Sequence, residues 1–208
     1  MPVKLNSSGG GSVTLTTPST ASDFTATFPA VTGNVVTTGS TAAVTPAMLT
    51  QPLTQSTAQA STSGTSIDFT GIPSWVKRIT IMLSSVSTSG TSSLRFQLGD
   101  SGGIENTGYA SNALTSSTSA AINTANSTAG FDGGSIASSS NVLNGALVLT
   151  NVTSNTWVCQ GSISNTGDSR FMSISGGKSL SDTLTQVRIT TANGTDTFDA
   201  GSINIMYE

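Results

Sequence analysis

Residues 76–84 read VKRITIMLS, and their alternation decides the fold. Ile79, Ile81 and Leu83 fall on one side of an extended chain, with Arg78, Thr80 and Met82 on the other. Successive side chains of a strand point to opposite faces, so this is the pattern of a strand with one buried face. The same period recurs further along. Leu94, Phe96 and Leu98 alternate with Arg95 and Gln97. Trp157, Cys159 and Ile163 share one parity, as do Ile203, Ile205 and Tyr207. Strands are expected at 66–70, 76–84, 94–99, 109–114, 145–151, 156–164, 170–175, 185–191 and 202–207. Gly, Ser, Asn and Asp clusters separate them, and no window of more than a few residues carries a helical period. Residues 67–208 therefore predict an all-β domain, an antiparallel β-sandwich of jelly-roll-like type, long enough for one core.

The chain before it reads differently. Residues 1–64 hold two charges, Lys4 and Asp23, and few large apolar side chains. Short strands are expected at 12–17, 24–28 and 34–38, punctuated by Pro18, Pro29 and Gly33. Ordering costs about 1–2 kcal/mol per residue, which so little apolar mass does not offset in one copy. One reading is a flexible Ser/Thr-rich leader. The reading preferred here is an intertwined β stalk over 1–53 that shares its core among identical chains. A short helix is expected near 46–51, where Thr45 can cap and Pro46 suits the first helical position. Residues 54–66 read as a linker, with Gly64 near its end.

Composition excludes several classes. Only 8% of the 208 residues are charged, the net charge is −3 and there is no His. An acidic balance with a pI of 4.6 lacks the basic face a nucleic-acid partner calls for. No apolar run reaches the roughly 20 residues of a membrane helix, so no membrane insertion is expected. The amino terminus lacks a basic segment followed by an apolar stretch, so synthesis in a cytoplasm without secretory export is expected. One Cys forms no intrachain disulfide or thiolate zinc site. Without His, a Ser-His-Asp triad is ruled out and nothing of that kind activates Cys159, which is expected as a small buried hydrophobe.

The acids sit mostly among Gly, Ser and Thr, where Asx turns account for them. Asp100 and Glu105 are the nearest pair within one loop, followed by Asp196 and Asp199. Neither spacing identifies a glycosidase, which needs two carboxyls across a cleft. Calcium would take six to eight oxygens, with Asp100, Glu105 and Asp132 as contributors, yet no calcium-loop pattern is present. Gly176-Gly177-Lys178-Ser179 matches only the end of a phosphate-binding loop, because Met172 stands where the first Gly is needed. No enzyme, cofactor or metal site is expected.

Two stretches resemble known proteins. The opening MPVKLNSSGGGSVTLTTPSTASDFTATFPAVTGNVVTTGS resembles the leader of tail-fibre proteins of tailed bacteriophages. Ala43-Val44-Thr45-Pro46-Ala47-Met48-Leu49 is similar to an element recurring in their stalks. Residues 69–80 (FTGIPSWVKRIT) and 97–109 (QLGDSGGIENTGY) resemble their β-rich carboxy-terminal module. The resemblance implies a virion structural protein, a homotrimeric short fibre or fibre tip. Its amino terminus would dock on other virion proteins and its sandwich would meet the host surface, including its glycans. A capsid decoration or head-fibre protein is the alternative, and a glycan-degrading enzyme using two turn carboxylates is the third reading. Loops at the end of a rigid scaffold are free to carry contacts. Within 99–108 and at its exit, Asp100, Ser101, Glu105, Asn106 and Tyr109 are therefore the candidate receptor-binding residues.

Overall fold

The structure, a computed structural model, describes residues 3–6, 8–15, 51–116, 122–134 and 136–208. The chain divides into two compact units, Met1–Ala43 and Val44–Glu208. In the first, β1 (Val3–Asn6) and β2 (Ser12–Leu15) form an antiparallel hairpin, in register from Val3 opposite Leu15 to Asn6 opposite Ser12. The strand expected at 12–17 is β2 in its described part. The strands expected at 24–28 and 34–38 lie outside the described residues, as does the helix expected near 46–51 except for Gln51.

The second unit is all-β among its described residues. Its strands are β3 (Thr54–Gln55), β4 (Gln59–Ala60), β5 (Ser66–Thr70), β6 (Arg78–Thr88), β7 (Leu94–Asp100) and β8 (Gly103–Ile104). They continue with β9 (Tyr109–Ser116), β10 (Ile122–Ser127), β11 (Phe131–Asp132), β12 (Leu143–Thr153) and β13 (Thr156–Asn165). β14 (Arg170–Ser179), β15 (Gln186–Thr191) and β16 (Phe198–Tyr207) complete the unit. Nine strands form one antiparallel sheet in the order β10-β9-β14-β13-β12-β6-β16-β3, with β4 also on β16. Five form a second sheet, β11-β7-β15-β5, with β8 on β7. The two sheets pack face to face as a β-sandwich.

All nine strands expected in this region are present. The additional ones are short or poor in large apolar residues. β10, INTANS, has one aliphatic side chain, and that side chain is exposed. Within the stretch 54–66, expected as a linker, residues 54–55 and 59–60 form strands of the larger sheet. β3 and β4 pair with β16, and Ser61 Oγ donates to the Ala200 carbonyl at 2.7 Å. Two-residue strands carry no readable alternation, and their signal comes from the partner's edge.

The core lies between the sheets. Ile79, Ile81, Leu147, Leu149, Ile163 and Ile203 of the larger sheet are fully buried, as are Phe96, Leu98, Val187 and Ile189 of the smaller. Trp157, Cys159 and Ile163 do share the buried face. Burial pushes the Cys159 thiol up to about 12, so it stays protonated and packs as an apolar side chain. Trp75 is half-buried against this core, its ring 6.0 Å from that of Tyr207.

One irregularity shapes the large sheet. The β16–β6 ladder slips twice, between Phe198 and Ala200 and between Ala200 and Ser202. Gly201 takes φ +92° and Ser85, opposite on β6, takes φ +53°. Both values are left-handed, a region that favours Gly. A Cβ on Gly201 would fall on the Ser85 carbonyl. The Ser85 N–H, taken out of the ladder, donates to Asn144 Oδ1 at 2.8 Å. Gly201→Ala is therefore expected to destabilise the unit by about 1–3 kcal/mol. Urea unfolding of the purified variant measures this, with a lower midpoint and an unchanged slope as the expected result.

Candidate functional site

The loop that sequence singled out is built inward. Asp100 ends β7 and is only 3% exposed. Its Oδ1 accepts from the Gly102 N–H at 2.7 Å. Its Oδ2 accepts from Ser181 Oγ at 2.6 Å and from the Asp182 N–H at 3.0 Å. Glu105 Oε1 accepts from the Ser181 N–H at 2.7 Å and from Ser181 Oγ at 2.8 Å. Lys178 of β14 points between the sheets and pairs with Glu105 Oε2. Its Nζ lies 5.3 Å from the centre of the Tyr109 ring. The Tyr109 hydroxyl accepts from the Leu98 N–H at 2.7 Å and donates to the Glu105 carbonyl at 3.0 Å. Its ring meets Phe131 edge-on at 5.0 Å.

Asp100, Glu105 and Tyr109 are thus brought together, and they are engaged with each other and with the 178–182 segment. Asp100 and Tyr109 are buried, and Glu105 is partly exposed. Two carboxylates beside buried apolar surface need donors, and the protein supplies them from its own backbone, Ser181 and Lys178. Ser101 and Asn106 do stand exposed at the turn. Sequence reading weighs Lys178 only as the end of a phosphate-binding loop and does not single out Ser181, although Lys178 shares the parity of Met172 and Ile174 on β14. A lysine in an apolar register is the signal that a carboxylate lies across from it.

The calcium reading meets the same difficulty. Asp132 does not join Asp100 and Glu105. Its carboxylate is held by Arg95 through two bonds of 2.7 and 2.9 Å. No cluster of three potential His, Cys, Asp or Glu ligands occurs among the described residues. Asp196 accepts from the Ser92 N–H at 3.0 Å and from Asn193 Nδ2 at 2.8 Å, while Asp199 bonds Ser87 Oγ. Asp196 thus holds its own turn, and Asp199 ties β16 to β6.

The more open surface is the outer face of the nine-stranded sheet. Cross-strand register places Asn112, Ser175 and Gln160 in one outward row, and Leu114, Ser173 and Ser162 in the next. On β12, Ala146 and Val148 continue these rows. Across β10, β9, β14, β13 and β12, no outward residue is charged. At strand spacing of about 4.8 Å this is a neutral strip roughly 20 Å wide. Ile122, Phe171 and Leu114 form an exposed apolar patch at one end, being 68%, 52% and 39% exposed. The smaller sheet is the opposite case. Its outer face carries Arg188 clasping Asp68 at 2.7 Å and Arg95 clasping Asp132.

Comparison with family models, with curated proteins and with solved structures finds no match to this chain.

The clasp between 100–105 and 178–182 predicts a pH dependence. The bond from Ser181, with those from the Gly102 and Asp182 N–H groups, holds the Asp100 carboxyl below its ordinary range. For Glu105, burial pushes upward, and Lys178 and Ser181 together outweigh it, so it too is lowered. A carboxyl lowered on folding stabilises the native state above its unfolded pKa, near 4, and that contribution is lost as pH falls through the folded value. Thermal midpoints should fall below about pH 4. An Asp100→Asn, Glu105→Gln double variant should melt lower at neutral pH and show a shallower decline in acid. An unchanged acid slope would contradict the clasp.

Proposed function

We propose that this chain is a structural protein of a bacteriophage particle, a short fibre or fibre tip, with the sandwich as its outward module for host-surface attachment. The observation that carries the reading is the neutral outer face of the nine-stranded sheet over β10, β9, β14, β13 and β12. It is wide and made of Ser, Thr, Asn, Gln, Ala and Val, with Leu114, Ile122 and Phe171 at one corner, on strands fixed by a dense core beneath. A rigid sheet that spends its charges elsewhere suits contact with another large neutral surface. The amino-terminal resemblance to fibre leaders supports anchoring to other virion proteins through the first unit. Fibre proteins of that kind are commonly homotrimers, and the low apolar content of residues 1–64 favours sharing a core among copies.

Two measurements test the reading. Mass spectrometry of purified particles should detect the chain in fixed proportion, and gold-labelled antibody against residues 67–208 should mark a fibre. Light scattering of the full chain should give three times the monomer mass. A chain missing from particles would overturn the placement, and a monomer would overturn the shared stalk. Label on the capsid surface would favour a decoration or head-fibre protein instead.

A further inference from the structure

Six Arg and Lys residues lie in the second unit, and five of them pair with a carboxylate: Arg78 with Glu208, Arg95 with Asp132, Arg170 with Asp168, Lys178 with Glu105 and Arg188 with Asp68. Lys77 is the sixth, and no described acid pairs with it. Its Nζ has one hydrogen-bond partner among the described residues, Asn151 Oδ1 at 3.4 Å. Asn151 is itself pinned. Its Nδ2 donates to the Ser154 carbonyl at 2.9 Å and to the Thr156 carbonyl at 3.2 Å, and its N–H donates to the Lys77 carbonyl at 2.8 Å. These bonds hold the amide oxygen toward the ammonium. Lys77 and Asn151 line a cleft of about 220 Å³. Ser74, Ser154 and Thr183 line it too, all exposed, and their hydroxyls bond no described residue. The buried Trp157 and Leu184 form its apolar part. No Asp or Glu lines it. Asp182, next to Thr183 in the chain, is turned to the Thr183 N–H at 2.7 Å.

We propose that this cleft binds a carboxylate carried on a short aliphatic stem. The inference goes beyond the particle reading and does not depend on it. An unpaired surface ammonium alone marks nothing, since water solvates it. Here a fixed amide, three free hydroxyls and an apolar wall surround it, in a unit whose other cations all have acids. The ammonium and the hydroxyls are donors, and a carboxylate is a pure acceptor. One positive charge matches one negative charge, whereas a phosphate monoester carries about −1.5 to −2 at neutral pH and is left half-compensated. A neutral amide of the same shape forgoes the ion pair. The methylenes of the stem find Trp157 and Leu184. The cleft is smaller than the roughly 300–1,000 Å³ of sites for drug-sized ligands, so the part it holds is a few heavy atoms. That chemistry has two sources, an acidic side chain of another polypeptide and a free small acid. Ion pairs in contact with water are weak, which places a single carboxylate in the millimolar range.

The test is a nitrogen-15 NMR titration of the full chain at constant ionic strength. The probes are propionate, its neutral counterpart propionamide, inorganic phosphate, and an end-blocked Gly-Gly-Glu-Gly-Gly peptide with its Gln counterpart. Propionate should shift the amide signals of Ser74, Lys77, Ser154 and Thr183 saturably, and propionamide should not. Phosphate should bind no more tightly than propionate. A Glu peptide that binds more tightly than propionate names a polypeptide as the source, and one that binds equally or more weakly names a free acid. Lys77→Gln should weaken propionate by about fivefold or more, with the thermal midpoint unchanged because the side chain is exposed. Lys77→Arg should keep the affinity within roughly twofold, since it keeps the charge. No saturable shift with propionate, equal shifts with propionamide, tighter binding of phosphate, shifts mapping elsewhere, or an unaffected Lys77→Gln variant would each overturn the proposal. The particle experiments are separate. Binding by a chain missing from particles would sink the fibre reading alone, and a particle-borne chain without shifts would sink the cleft alone.

Discussion

The layer of side chains between the two sheets has to order a chain that is mostly small and polar. Half of the sequence is Ser, Thr, Gly and Asn, which bring little apolar area to burial. Each ordered residue costs about 1–2 kcal/mol, and each fully buried Ile, Leu or Phe returns about 1.5–3 kcal/mol. The large apolar residues are therefore concentrated in one place. Ile79, Ile81, Leu147 and Leu149 face Phe96, Leu98, Val187 and Ile189 across the sandwich, all fully buried. Gly161 falls in the same inward register as Trp157, Cys159 and Ile163. A Cβ there would strike the backbone of Ala146 and Leu147, so its missing side chain lets the strands close. Everything on the outer faces depends on this layer holding the strands at fixed spacing.

Charge is distributed by the same economy. Arg188–Asp68 and Arg95–Asp132 brace neighbouring strands of the smaller sheet, and Lys178–Glu105 ties its end to the larger one. With so few ionic groups, those spent on bracing leave the outer face of the nine-stranded sheet neutral from β10 to β12. That face carries Ser and Asn in registered rows, and its exposed apolar groups collect at one corner. The carboxylates Asp100 and Glu105 belong to the bracing set.

Much of this was legible in the sequence. Long strands such as β6, β7 and β13 carry an alternation strong enough to read directly, because one face of each is buried. β3, β4 and β11 are two residues long and carry no period, so only the neighbouring ladder reveals them. β10 carries no readable alternation, because Ile122 is its one large apolar residue and the rest, on both faces, are small or polar. At the site, Asp100, Glu105 and Tyr109 were found as a cluster, but their direction was not. Whether a loop carboxylate faces water or Ser181 depends on a segment some 80 residues away, which local composition does not encode.

The central claim is that the neutral outer face makes the contact for which the sandwich is built. Ser162 and Ser173 are opposite one another near the middle of that face, on β13 and β14. Replacing both with Lys puts two charges on the strip without touching the core or the clasp. The direct measurement is adsorption of particles carrying Ser162→Lys and Ser173→Lys to host cells, alongside the melting temperature of the isolated protein. The account predicts near-unchanged melting and incorporation with adsorption strongly reduced. Adsorption at the level of the unaltered particle, with the protein folded and incorporated, would contradict it.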